Sequence, residues 1–208
     1  VDGIPATVTD GQTADARFDF GSVERIEVIR GPASALYGSA SGGVISVTTE
    51  DGPETPFVEA GVSLGEFEFN QYRVKAGGRA GALSYLVSAT HTETDSYRRH
   101  ADTEFQTVNA KLGYTFADGA TLKIIGKVMN LPTAEDPGGL TAAQVAADRT
   151  ANQFNNFRFN AGEDVDQQRL GFVYEKDLGE HHSIMLRNYY TWRDFDSRLP
   201  FGFPFGRQ

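Results

Sequence analysis

The sequence predicts a mainly β chain: a small strand, short helix and strand unit, then about seven antiparallel strands patterned like a barrel wall. Three observations carry this. Glycine (23 of 208 residues) and aromatic residues (12%, with 15 Phe) are in excess, as in chains of many strands and turns. Seven segments alternate apolar with polar residues at period two. Their connections alternate between short turns and longer loops.

The first element is Val23–Arg30, alternating apolar and charged residues and stopped by Gly31-Pro32. Pro32 suits the first position of a short helix over 33–37, which Gly38 ends. A second strand runs from Gly43 to Thr49. Residues 50–56 hold two prolines, one glycine and three acids, and read as a linker between a unit at 1–49 and a second at 57–208.

Beyond the linker the apolar rows are Val58 to Leu64, Tyr72 to Ala76, Leu83 to Ala89, Val108 to Phe116, Leu122 to Val128, Leu170 to Tyr174 and Ile184 to Trp192. Residues 79–81, 117–119 and 178–180 read as short turns. Residues 94–102, 130–165 and 195 onward read as long loops, and the short 65–68 connection is the exception at that end. By parity Arg73, Lys75, Lys111, Lys123, Lys127, Arg169, Arg187 and Arg193 share the opposite face with Glu59 and Glu175. One apolar face, one charged face and alternating turn lengths describe the wall of an outer-membrane barrel, whose lipid side is spread over alternate residues. No run of about 18 apolar residues exists for a membrane helix.

The net charge of −9 excludes a general nucleic-acid binder, and the absence of cysteine excludes disulfides and thiolate sites. His91, His100, His181 and His182 lack metal-ligand spacing, so neither metal nor cofactor is expected. The glycines at 38–43 lack a P-loop lysine, and Ser34 lacks a nucleophile elbow. No catalytic constellation is present, and the chain is expected not to be an enzyme.

The run Val23-Glu24-Arg25-Ile26-Glu27-Val28-Ile29-Arg30-Gly31-Pro32-Ala33-Ser34-Ala35-Leu36-Tyr37-Gly38, continued by Gly42 to Val47, closely resembles the second half of the plug domain of TonB-dependent outer-membrane receptors. The downstream strands look like the opening strands of that family's barrel. The resemblance implies a Gram-negative outer-membrane receptor, a barrel of about 22 strands closed by a plug, that imports a scarce nutrient when TonB pulls on an N-terminal box. This chain is then expected to be an internal fragment, lacking the TonB box and the first half of the plug, within a monomer embedded in outer-membrane lipid. The alternatives are a soluble all-β binding module of the glycan-binding kind and a surface adhesin barrel.

In the family's pattern an arginine at Arg30 faces wall carboxylates and latches the plug, which points to Glu59 and Glu175 here. The eight inward basic residues are expected to line a path for an anionic cargo such as a ferric siderophore, unless plug acids (Asp10, Asp15, Asp19, Glu24, Glu27) neutralise them. In the 130–165 loop Thr141 is placed to cap a short helix. Arg149, Phe154, Asn155, Asn156, Phe157 and Arg158 are its candidate ligand-contacting residues, and the Phe201 to Phe205 run is similar.

Overall fold

The computed structural model describes residues 1–6, 19–31 and 42–201. The helix expected over 33–37, Pro32, Ser34, Gly38, Asp10, Asp15 and residues 202–205 lie outside the described residues. A 3-10 turn at Phe20–Ser22, held by the Asp19 carboxylate accepting from the Gly21 amide, leads into β1 (Val23–Arg30). β1 pairs antiparallel with β2 (Gly43–Thr49), from Val23 opposite Thr49 to Arg30 opposite Gly43.

The seven expected strands form one sheet, each antiparallel to the next in sequence order. They are β3 (Phe57–Leu64), β4 (Asn70–Ala80), β5 (Leu83–Thr94), β6 (Thr103–Thr115), β7 (Thr121–Glu135), β8 (Gly162–Asp177) and β9 (Ser183–Arg198). The sheet is open, with β3 and β9 at its two edges. Gly81 and Gly119 take positive φ in two of the tight turns. A Cβ on either would meet nothing within 4 Å, so the backbone angle and not crowding calls for glycine.

The register puts every apolar row on one face. Tyr85, Leu112, Ile124 and Phe172 stand directly opposite one another across β5 to β8, and Tyr72 and Leu186 share their side. Large apolar side chains on this face are exposed, among them Val74, Val108, Val128 and Leu186. A soluble sandwich would cover them with a second sheet; among the described residues nothing does. Aromatic pairs stand near the two limits of the band: Tyr114 edge-on to Phe116 at 4.9 Å, and Tyr190 against Trp192 at 4.4 Å.

One expectation needs correction here. The strands run further toward the long-loop end than alternation indicated, so the loop after β7 spans 136–161 rather than 130–165. There the outward face is polar, with Asp164, Asp166 and Gln168, while the inward face mixes Glu163 and Gln167 with Val165, which joins Met129, Leu131 and Ala134 in a small buried cluster, so hydrophobic alternation breaks down while the ladder continues. Within this loop lie α1 (Ala142–Ala147), capped by Thr141 in a capping box with Gln144 as expected, and α2 (Phe154–Arg158).

Candidate functional site

Residues 1–4, 19–22 and 47–52 lie on the charged face of the sheet, and wall lysines hold them there. Lys75 Nζ donates to the Gly21 carbonyl and to Glu50 Oε2, both at 2.8 Å. Lys111 Nζ reaches the Thr49 carbonyl at 2.8 Å, Asp51 Oδ1 at 2.7 Å and Asp2 Oδ1 at 3.4 Å. Lys123 meets Asp51 Oδ2 at 3.2 Å. Asp2 accepts from the Thr49 amide at 2.9 Å and from its hydroxyl at 2.7 Å, so the N-terminal segment, β2 and the wall form one network. Burial pushes the Asp51 carboxyl up, but Lys111 and Lys123 together hold it below the usual carboxylate range. A lowered carboxyl contributes its stability above the ordinary value and loses it as pH falls.

Close packing accompanies the charges. A Cβ on Gly21 would collide with the Arg73 guanidinium, one on Gly3 with that of Arg187, and one on Gly171 with the Ile4 side chain. Arg73 Nη2 donates to Glu59 Oε1 at 2.8 Å. Arg169 Nε donates to Thr191 Oγ1 at 3.1 Å, Arg187 Nη2 lies 3.2 Å from Met185 Sδ, and the Arg193 guanidinium stands 5.0 Å from the Phe195 ring. Lys127 and Arg169 line a small cavity beneath Asp2 and Ile4.

The structure does not bring Arg30 to Glu59 or Glu175. Arg30 is exposed and makes no ion pair among the described residues, Glu59 is taken by Arg73, and Glu175 is exposed opposite Thr121 and Met185. Among the described residues, the hydrogen bonds between the β1–β2 hairpin and the wall fall at its base, at Thr49. Seven residues of extended chain set Arg30 about 23 Å from that base. Among the described residues the acids that meet the wall are not the expected ones: Asp19 caps the 3-10 turn and Glu27 pairs with Arg25 at 3.5 Å, while Asp2, Glu50 and Asp51 supply the counter-charge.

At the long-loop end, residues 95–102 strap the 136–161 loop. Arg98 donates to the carbonyls of Ala151, Pro137 and Gly138 at 3.0, 3.1 and 2.8 Å. His100, its side chain buried, places Nδ1 3.1 Å from Glu135 Oε1 and Nε2 3.0 Å from the Ala161 carbonyl. The Arg149 guanidinium lies 5.9 Å from the Tyr97 ring. Asn156 is buried and donates to Asp136 Oδ2 at 3.0 Å, a structural role for one of the candidate ligand residues. Phe154, Asn155, Phe157 and Arg158 remain exposed. The strap was missed because Arg98-Arg99-His100 reads from sequence as a solvated loop.

Arg99 Nη2 donates to Asp148 Oδ2 at 2.7 Å, and the Thr150 amide and hydroxyl donate to Oδ1 at 2.9 and 2.7 Å. Arg99 first and Thr150 second hold the Asp148 carboxyl down at about 2. The clasp is therefore fully formed above the ordinary value of 3.8 and is lost as pH falls through about 2. A carboxyl-carbon NMR titration is expected to show that midpoint in the wild type and one moved toward 3.8 in Arg99→Gln; coincident midpoints would refute the clasp.

Among the described residues no cluster of His, Asp and Glu could hold a metal ion. Residues 1–44 match the family model described as the TonB-dependent receptor plug domain. The chain is 25% identical over 187 residues to the iron-regulated outer membrane virulence protein of Vibrio cholerae, covering 80% of this chain and 28% of that protein. It is 44% identical over 78 residues to the ferric enterobactin receptor of Pseudomonas aeruginosa (36% of this chain, 10% of that one). Against the hemin receptor of Yersinia pestis it is 35% identical over 91 residues (43% and 12%). The chain thus spans between about a tenth and a little over a quarter of these relatives' lengths.

Proposed function

The chain belongs to the TonB-dependent outer-membrane receptors, and from that premise we propose that it forms part of the plug and barrel wall of a receptor that imports an anionic iron chelate, energised through TonB. Receptors of this family are transporters, not enzymes, of the Gram-negative outer membrane. We assign residues 1–49 to the plug, 50–56 to the linker and 57–208 to the first barrel strands.

The observation that carries the reading is the two-sided sheet. Its outward face is an exposed apolar band, suited to lipid, with aromatic pairs near its limits. Its inward face is charged, and three of its lysines, Lys75, Lys111 and Lys123, bond the segment that resembles a plug and the linker that follows it. Iron cargo is supported by the names of the relatives: iron-regulated, ferric enterobactin and hemin. Anionic cargo is supported by the basic wall, more narrowly than its composition suggests. Glu59, Glu50, Asp2 and Asp51 offset Arg73, Lys75, Lys111 and Lys123, which leaves the case to Arg187 and Arg193 on β9. The exposed Phe154, Asn155, Phe157 and Arg158 fit a first contact for cargo above the barrel, and Arg30 remains a candidate latch toward other strands.

The test is radio-iron uptake by cells that express the full-length receptor and no other iron-chelate receptor. Ferric tris-catecholate, ferric citrate and hemin serve as probes, with and without TonB. Uptake of at least one that disappears without TonB is expected; uptake of none, or uptake indifferent to TonB, refutes the proposal. Arg98→Ala removes the donor to three carbonyls and is expected to raise amide exchange across 136–161 about tenfold, the loss of roughly 1–2 kcal/mol. Exchange in β4 to β6 at the Lys75 and Lys111 level should not change; if it rises equally, the strap is not local.

A further inference from the structure

Among the described residues, one level of the inner wall takes no hydrogen bond from the plug segment, although Gly21 packs on the Arg73 guanidinium. The register places Arg73, Thr90, Thr107, Met129, Gln167 and Arg193 side by side across β4 to β9. Among the described residues eight buried side-chain nitrogen and oxygen atoms lack a hydrogen-bond partner, and six belong to this row: Arg73 Nε, Thr90 Oγ1, Thr107 Oγ1, both amide atoms of Gln167, and Arg193 Nε. Thr107 and Gln167 are each 2% exposed and Thr90 6%. A buried polar group without a partner costs about 1–3 kcal/mol, so five such residues at one level call for a functional account.

The neighbouring level is different. Lys75 and Lys111, which lie closer to the short turns, are satisfied by Gly21, Glu50, Thr49 and Asp51. The unsatisfied row lies one pleat repeat, about 7 Å, further toward the long-loop end than Lys75. Cargo descending from the loops would meet it before the lysine network.

The chemistry of the row selects its guest. Both arginine Nε–H groups only donate, the two hydroxyls and the Gln167 amide can donate, and Gln167 adds one carbonyl acceptor. Thr90 to Gln167 spans three strand spacings, about 14 Å, with the Met129 side chain between the polar groups. We propose that this row is a wall-side binding station for an oxygen-rich anionic small molecule, bearing carboxylate or catecholate oxygens, as it crosses between plug and wall. The inference rests on the import reading above and names the wall residues that the cargo touches.

The test is the Thr90→Val/Thr107→Val pair in the full-length receptor. Each change keeps side-chain shape and removes only a hydroxyl that has no partner, so thermal stability is expected to stay level or rise. Ferric tris-catecholate and ferric citrate are the probes, measured as binding to energy-depleted cells and as uptake by energised cells. Binding is expected to be unchanged and uptake to fall about tenfold, the equivalent of one charge-assisted hydrogen bond. Uptake equal to wild type overturns the station while leaving import intact. A fall in thermal stability overturns it also, because the hydroxyls then serve the fold. Failure of the wild type to take up either probe overturns the station and refutes import of these two chelates, whereas hemin uptake tests the wider import reading separately.

Discussion

Lys111→Met is expected to destabilise the docked N-terminal segment by about 3 kcal/mol, the loss incurred when one partner of a buried ion pair is removed. Methionine keeps the length and much of the packing of the stem, so the effect reports the ammonium. That ammonium joins Asp2, Asp51 and the Thr49 carbonyl, and the Asp2 and Lys111 side chains are only 6% and 7% exposed. Without it, Asp2 keeps its bonds from Thr49 but loses its counter-charge. Thermal unfolding and limited proteolysis of the full-length receptor should show the segment released first. The Asp2→Asn/Lys111→Met double variant should recover part of the loss, since it removes both charges. Unchanged proteolysis in the single variant would mean that the wall does not seat this segment.

Gly52→Ala is expected to cost about 2–3 kcal/mol, the upper range for forcing atoms into a packed site. Its Cβ would fall against the carbonyl oxygens of Gly78 and Tyr85 and 2.6 Å from the Tyr85 nitrogen, all of them backbone atoms of the β4–β5 ladder. Backbone cannot step aside without breaking ladder bonds, so the linker must lift, drawing Asp51 away from Lys111 and Lys123. Gly171→Ala is the control, because the atom its Cβ would strike is the Cδ1 tip of the Ile4 side chain and the nearest backbone atom, the Asn188 carbonyl oxygen, stands at an ordinary 3.7 Å. Chemical unfolding should show a small loss for Gly171→Ala and a large one for Gly52→Ala. Equal losses would show that the linker's backbone contact is not what excludes a side chain.

The strands were legible where one face is apolar and the other charged, as at Leu122 to Val128, because a slip of one residue would bury lysine on the lipid side. They were illegible from 130 to 135 and 162 to 169, where the outward face turns polar and the remaining apolar residues, Leu131 and Val165, sit inward in a small buried cluster. Thr141 announced α1 through its cap, whereas Gln153 gives α2 no side-chain cap, and nothing in the sequence marked it. Parity put the inward lysines on one face but could not find their partners. Asp2 lies 109 residues from Lys111, and Glu50 and Asp51 read as solvated linker acids. Period two likewise says which side of β1 is polar and not how far the hairpin stands from the wall, which is why Arg30 falls away from Glu59 and Glu175.

The central claim is that one face of this sheet meets lipid while the other carries the plug. Single nitroxide labels at successive positions 107–112 of β6, read for collisions with oxygen in the full-length receptor in outer membranes, test it directly. Oxygen access is expected to be high at Val108, Ala110 and Leu112 and low at Thr107, Asn109 and Lys111; equal access along the strand, or the inverted alternation, would contradict it.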